Sequence, residues 1–214
     1  MKQIIRISFF AVVGAVMLLG TAVHGQVGKG IADLNSMPEK DLLALPNMTP
    51  AIGKAFIAKR PFANIVDANT FLLGQGLTQE QATAIYEKAF IHLNLNAATE
   101  AEILLVPRIA RRMRIEFPEY RPWKSWAQFD KEIGKYLTAN PGELERLKQY
   151  VFIPINLNTA SDEDILTIPG AGQRMVREFK EYRPWKSQAQ FEKEIGKYVD
   201  AKEVARLWRF VVIQ

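Results

Sequence analysis

The residues best suited to binding chemistry stand in one short run near the carboxyl end of the chain. Gly170, Ala171 and Gly172 follow a proline, and Arg174 and Arg177 come soon after them. Glycine carries no side chain, so the backbone of such a run can approach a ligand closely. If the run opens a helix, its free N–H groups and the helix dipole favour an anion, to which the arginines add positive charge. The alternative is that the glycines only make a tight turn between two packed helices.

A second place carries the arginines without the glycines. Arg108-Ile109-Ala110 aligns with Gly170-Ala171-Gly172, and Arg111 and Arg112 come directly after it. A Cβ atom at both flanks hinders close approach of the backbone to an anion, so side-chain charge would have to replace the backbone cradle. The alternative is a solvated helix face on which Glu116 offsets the arginines. Arg108, Arg111 and Arg112 form the second set of candidates.

A third place carries the glycines without the arginines. Gly74 and Gly76 flank Gln75, and no lysine or arginine follows them until Lys88. These two glycines complete the candidate phosphate-binding residues. The chain has no cysteine and only two histidines, so a thiolate or histidine-rich metal site is not expected, and neither is a cofactor.

Four short helices are predicted around the Gly170 run. The first begins at Thr159 or Ser161, both of which are good N-cap residues, and the Pro-Gly pair ends it. The second shows apolar residues at helical spacing from Met175 onwards. The third begins at Ser187, which has a glutamine three residues later, and the fourth begins at Asp200. The candidate site therefore lies between the first two helices.

This arrangement is repeated along the chain. Leu95–Tyr136 and Leu157–Tyr198 are identical at 26 of 42 aligned positions, and a fainter copy precedes them. Self-similarity at a fixed period indicates an array of supersecondary units. We predict an all-α fold with three units of about 60 residues: unit 1 (26–92), unit 2 (93–154) and unit 3 (155–214).

Other elements of the units are predicted from the same alignment. In unit 1, Ser36 and Thr78 are the predicted N-caps. Phe62, Trp123 and Trp185 share one position, which is predicted to pack in the core; stacking against bases is the alternative. The β-branched segments at 151–155 and 211–213 are predicted to be extended connectors between units.

Several blocks of unit 3 occur in the order seen in a known family. Leu157-Asn158-Thr159-Ala160, Ile168–Gly172, Tyr182-Arg183 and Trp185-Lys186-Ser187 resemble the ComEA-type helix-hairpin-helix domain, and unit 2 repeats them. The resemblance implies three tandem helix-hairpin-helix units. It also implies that hairpin backbone N–H groups bind the phosphates of duplex DNA, contacts that carry no sequence information.

Unit 1 resembles a different relative of the same fold. Leu45–Pro50 and Gly76–Gln81 look like the helix-hairpin-helix extrinsic subunit of photosystem II, which is a structural cap on a protein complex. The two resemblances therefore imply the same fold, whereas they imply different functions.

The amino-terminal residues have the pattern of an export signal. Residues 1–25 contain two basic residues, an apolar run of about 13 residues and small residues before the predicted cleavage site. We predict a cleaved signal peptide and a periplasmic or secreted protein; an uncleaved membrane anchor at 7–20 is the alternative. Cleavage would remove Lys2 and Arg6 and lower the net charge from +5 to +3, which is weak evidence for nucleic-acid binding by charge alone.

Two functions remain after enzymes are excluded. The carboxylates stand at helix starts, where capping explains them, and no phosphate-binding loop ends in Lys-Ser or Lys-Thr, so a non-catalytic protein without a small-molecule substrate is expected. The first hypothesis is an exported protein that binds double-stranded DNA without sequence preference. The second is an exported scaffold that uses its hairpins to contact a protein partner.

Overall fold

The structure, a computed structural model, describes residues 31–214, so the predicted signal peptide at 1–25 and the alternative anchor at 7–20 lie outside the described residues. Over 31–214 the chain is predominantly helical, with twelve helices and six strands of two residues each, in agreement with the predicted all-α class. Within this range no helix is long and apolar enough to cross a membrane.

Each unit contains the same order of elements: a short strand, four helices and a second strand. Unit 1 contains β1 (Ala32–Asp33), α1 (Glu39–Leu43), α2 (Pro50–Lys59), α3 (Ile65–Gly74), α4 (Gln79–Tyr86) and β2 (Ala89–Phe90). Unit 2 contains β3 (Leu93–Asn94), α5 (Glu100–Leu104), α6 (Met113–Glu119), α7 (Trp126–Gly134), α8 (Pro141–Lys148) and β4 (Val151–Phe152). Unit 3 contains β5 (Ile155–Asn156), α9 (Asp162–Leu166), α10 (Gln173–Glu181), α11 (Gln188–Ile195), α12 (Ala201–Trp208) and β6 (Val211–Val212).

The two strands of each unit pair with each other in parallel. In unit 2 Leu93 pairs with Val151, and in unit 3 Ile155 pairs with Val211. Residues 151–155 run from β4 into β5 and so connect unit 2 to unit 3 as predicted, although Val151 and Phe152 also pair with the strand that opens unit 2. For 211–213 the prediction is wrong, since Val211 and Val212 pair with the strand that opens unit 3. Burial of these residues also buries their backbone groups, and the parallel pairing supplies the hydrogen bonds that those groups need.

Most helix starts follow the sequence pattern. Ser161, rather than Thr159, is the N-cap of α9, and its Oγ accepts a hydrogen bond from the Asp164 N–H at 3.1 Å. Thr78 and Gln81 form a capping box at α4, as their spacing predicts.

The predicted N-cap at Ser36 is wrong. The carboxylate of Asp33 accepts the N–H groups of Asn35 and Ser36 at 2.9 and 3.1 Å, which holds Ser36 in a turn before the helix. Pro38 occupies the N-cap position of α1 and provides no side-chain hydrogen bond. Helix α1 therefore begins at the position where α5 and α9 begin, with a proline in place of their N-caps Thr99 and Ser161.

The aromatic residue shared by the units is in the core. Trp123 and Trp185 are each 2% exposed, and the Trp185 Nε1–H donates to the Phe179 carbonyl at 2.7 Å. The Asn158 side chain accepts from the Trp185 N–H at 2.7 Å and donates to the Trp185 carbonyl at 3.1 Å. Core packing is therefore confirmed, and a buried indole offers no free face to a nucleic-acid base.

The arginine of the shared Tyr-Arg-Pro block is also a structural residue. The Arg183 guanidinium donates to the carbonyls of Leu157 and Ala160 at 2.7 and 2.6 Å, and Arg121 makes the equivalent pair of bonds in unit 2. These side chains join the second helix of each unit to its first strand. Their guanidinium donors are therefore occupied by carbonyl groups inside the fold.

The apolar core has two parts. Buried side chains of 31–151 form one continuous cluster, and those of 152–211 form a second. Units 1 and 2 thus share a core, whereas unit 3 has its own. Trp126 is 7% exposed and lines a cleft with Ile153 and Pro154 at the junction of units 2 and 3.

Candidate functional site

The turn between the first two helices has the same backbone conformation in all three units. Gly170 has a φ of 78°, and the residues at the equivalent positions, Arg108 and Asn47, have φ of 56° and 60°. A left-handed φ is costly for residues with a Cβ, and glycine avoids that cost. The turn therefore does not depend on glycine, although unit 3 alone has the residue best suited to it.

The back of the Gly170 turn is packed against protein. A Cβ added to Gly170 would lie 3.2 Å from Arg206 Nη2 and 3.4 Å from Ser36 Cβ. Its absent side chain is explained by the turn and by these neighbours, without any ligand. Gly170 therefore fits the alternative in which the glycine only makes a tight turn between two packed helices.

Gly172 has no such explanation. Its φ of −111° is ordinary, and a Cβ added there would meet no atom of residues 31–214 within 4 Å. It is the N-cap of α10 and supplies no side-chain hydrogen bond, while its carbonyl accepts the N–H groups of Met175 and Val176. The N–H groups of Gln173 and Arg174 have no acceptor among residues 31–214. An open, uncapped helix start of this kind favours an anion.

The arginines after Gly172 keep their charge available. Arg174 and Arg177 are exposed, and neither is within salt-bridge distance of a carboxylate in the described part of the chain. The Arg174 guanidinium lies over the Tyr198 ring at 4.9 Å, which orients it beside the helix start. Gly172, Arg174 and Arg177 therefore combine free donors, open space and uncompensated positive charge, while Ala171 is half-buried between them and the turn.

The arginines of unit 2 are mostly paired. Arg108 lies 3.7 Å from Glu87, and the Arg112 Nε donates to Glu116 at 2.5 Å. The hydrogen bond from Arg112 lowers the pKa of Glu116, so this carboxylate stays ionised beside the arginine. Arg111 is exposed and has no salt-bridge partner within 31–214. The carboxylates offset two of the three candidate arginines, as the alternative of a solvated helix face predicts.

The helix start in unit 2 also differs from that in unit 3. Helix α6 begins only at Met113, and Arg112 at its N-cap already has helical backbone angles. The backbone before it forms tight turns at 110–112 instead of an extended approach to the helix. Arg108, Arg111 and Arg112 thus lie near a helix start that lacks the open geometry found at Gly172.

The glycine pair of unit 1 leads to a capped helix. Gly76 has a φ of 92°, so it is required by the turn. The Thr78 Oγ1 accepts the Gln81 N–H at 3.2 Å, and the Glu80 pKa is lowered by hydrogen bonds from its own backbone N–H and from the Thr78 hydroxyl. An anion near Gly74 and Gly76 would therefore meet occupied donors and a carboxylate.

Sequence reasoning missed a cluster of buried charges between units 1 and 3. His92 Nδ1 lies 3.3 Å from Asp33 Oδ2, both side chains are buried, and Arg209 donates to the His92 carbonyl at 3.2 Å. Burial acts to raise the pKa of Asp33, but the His92 hydrogen bond and the charges of Arg206 and Arg209 outweigh it, so the pKa is lowered. His92 is therefore part of the contact between units 1 and 3.

One signal in the sequence could have pointed to that cluster. Asp33 stands where units 2 and 3 have Asn94 and Asn156, which accept a backbone N–H in the same way. A charged residue at a position that is a neutral amide in the other two units indicates that unit 1 has a different neighbour there. No family model, no curated protein and no solved structure matches the chain.

Proposed function

We propose that the chain consists of three tandem helix-hairpin-helix units and is an exported, non-catalytic protein that binds the backbone of duplex DNA without sequence preference. The observation that carries the proposal is the start of α10, where Gly172 leaves free N–H groups next to open space. Such donors suit a phosphate oxygen, because the helix dipole and the charge-assisted hydrogen bonds favour the anion together.

The charges around Gly172 support the same function. Arg174 and Arg177 have no carboxylate partner in the described residues, so each can neutralise a DNA phosphate and release a counterion. Backbone N–H groups and arginines that contact phosphates position a protein on the duplex but do not read bases. Unit 3 is therefore the principal contact, and Arg111 of unit 2 is the most available addition.

The test is fluorescence anisotropy of a labelled duplex over a series of salt concentrations. The proposal requires binding at low salt that weakens steeply as salt rises, equally for duplexes of unrelated sequence. Gly172→Asp places a carboxylate at the free donors and should weaken binding. Gly142→Asp makes the same change of charge at the exposed start of α8 and serves as the matched control. Absence of binding at low salt, or equal binding by the two variants, would refute the proposal.

A scaffold function is supported by one specific feature of unit 2. Ile115 is 54% exposed on α6, at the position where unit 3 has Arg177, and its neighbours Arg112 and Arg114 are paired with carboxylates. An exposed branched apolar side chain beside paired charges suits a protein partner better than DNA. In that case Ile115→Asp would abolish capture of a periplasmic partner and leave DNA binding unchanged.

A further inference from the structure

A cavity of about 390 Å³ lies between units 1 and 3. One wall is apolar and is formed by Pro61, Phe62 and Ala63 of unit 1. The other wall belongs to α12 and the residue after it, and its lining residues are Lys202, Ala205, Arg206 and Arg209. Three lining residues are cationic and none is acidic.

The buried donors at this junction exceed the acceptors. The Arg206 side chain is 3% exposed; its Nε and Nη2 donate to Glu203 at 2.7 and 2.6 Å, while Nη1 is buried without a partner in the described residues. Arg60 precedes the apolar wall and donates from Nη1 to the Met37 carbonyl, but its Nε and Nη2 also lack partners there. A buried donor without an acceptor is unfavourable, so these groups favour a ligand that accepts hydrogen bonds.

The charges of the junction do not balance. Arg60, Arg206 and Arg209 are close enough to Asp33 for their charges to interact, and Lys202 adds a fourth cation at the mouth of the cavity. Among residues 31–214, Asp33, the Glu203 partner of Arg206, and Glu102, whose charge acts on Arg209, supply three carboxylates. One positive charge is left in excess, which favours an anion.

An equivalent helix in unit 2 shows which feature is specific to this place. Arg146 pairs with Glu143 as Arg206 pairs with Glu203, and its Nη1 is likewise without a partner among residues 31–214. In unit 2, however, Gly142 and Gln149 stand where unit 3 has its lysine and its second arginine. The extra cations therefore distinguish unit 3, rather than the unpartnered nitrogen alone.

We propose that this cavity binds a small oxyanion of the phosphate class, with Lys202, Arg206 and Arg209 as its cationic partners. Guanidinium groups match the oxygens of such an anion in geometry as well as in charge. The volume lies within the range of small-molecule sites. The lining of the cavity does not include Gly172, and the proposal does not rest on DNA binding.

Isothermal titration calorimetry with inorganic phosphate, at ionic strength kept constant with chloride, tests the proposal. The Gly172→Asp variant is used as the parent protein, so that the hairpin contributes no phosphate binding. We expect saturable binding at one site. Lys202→Gln should weaken it by about tenfold, the size of one charge-assisted hydrogen bond, because Lys202 is exposed and has no salt-bridge partner in the described chain.

Lys193→Gln is the matched control, since Lys193 is an exposed lysine of α11 outside the cavity. Absence of saturable binding, or equal affinity in Lys202→Gln and Lys193→Gln, would overturn the proposal. Anisotropy with duplex DNA then separates two sources of the anion. If Lys202→Gln also weakens DNA binding, the cavity takes a backbone phosphate; if it does not, the cavity takes a free phosphate compound.

Discussion

The two glycines of the unit 3 hairpin should respond in opposite ways to substitution. Gly170→Ala forces a Cβ onto a left-handed residue, which costs about 1–2 kcal/mol. Part of this is offset, by about 0.4–1 kcal/mol, because alanine restricts the unfolded chain. The added Cβ also lies 3.2 Å from Arg206 Nη2, so that guanidinium must shift. We expect a net loss of about 1 kcal/mol, which lowers the melting temperature by about 2–4 °C in a domain of this size.

Gly172→Asp should leave stability unchanged or raise it. Aspartate is at least as good an N-cap as glycine, the side chain meets no atom within 4 Å, and its charge suits the helix dipole, so a gain of about 0.3–1 kcal/mol is expected. The same carboxylate occupies the N–H groups that would bind phosphate. Loss of one phosphate contact should reduce the slope of log K against log salt concentration by about 0.9.

Melting followed by circular dichroism and DNA anisotropy at several salt concentrations measure both effects on the same samples. Gly142→Asp controls for the change of net charge. The reasoning fails if Gly172→Asp is as destabilising as Gly170→Ala, which would mean that both glycines serve the turn. It also fails if the salt slope of Gly172→Asp equals that of Gly142→Asp, which would mean that no phosphate lies at α10.

Three other substitutions have expected outcomes. Asn158→Ala removes both hydrogen bonds to the Trp185 backbone and should lower the free energy of unfolding by about 2 kcal/mol in urea titrations, whereas an unchanged midpoint would contradict this. The folded-state pKa of Asp33 is lowered, so its contribution is present above the unfolded pKa near 4 and is lost as pH falls through the lower folded value. Asp33→Asn should therefore destabilise the protein at pH 7, with a difference from the parent that shrinks below pH 4; a constant difference would contradict the His92 pairing. Arg108→Gly relieves a left-handed arginine and should change stability by less than about 1 kcal/mol in thermal melts, so a large loss would show that the Glu87 pair matters more than the turn.

Local patterns explain which features the sequence predicts well. The caps at Ser161 and Thr78 depend on residues three positions apart, and the helical spacing from Met175 depends on one turn of backbone. Ser36 shows the limit of such patterns, because it has the residue spacing of an N-cap but lies in the turn that Asp33 forms before the helix.

The strand pairs cannot be predicted from such local patterns. Ala32 and Ala89 pair across most of unit 1, and two-residue strands have too little alternation to be recognised. Their pairing is decided by the packing of the four helices between them, which brings the ends of each unit together.

By itself the sequence determined the helical class, the repeat, the buried tryptophans and the set of candidate glycines and arginines. Only the tertiary structure decided which of those candidates are accessible to a ligand and unpaired. Arg108 lies near Glu87 of another unit, Gly170 packs against Ser36, and Arg209 donates to the His92 carbonyl. A Cβ added to Gly172, in contrast, would meet no atom of the described residues within 4 Å. The physical reason is that charge pairing and access depend on distances between units, and residues far apart in the sequence set those distances through packing.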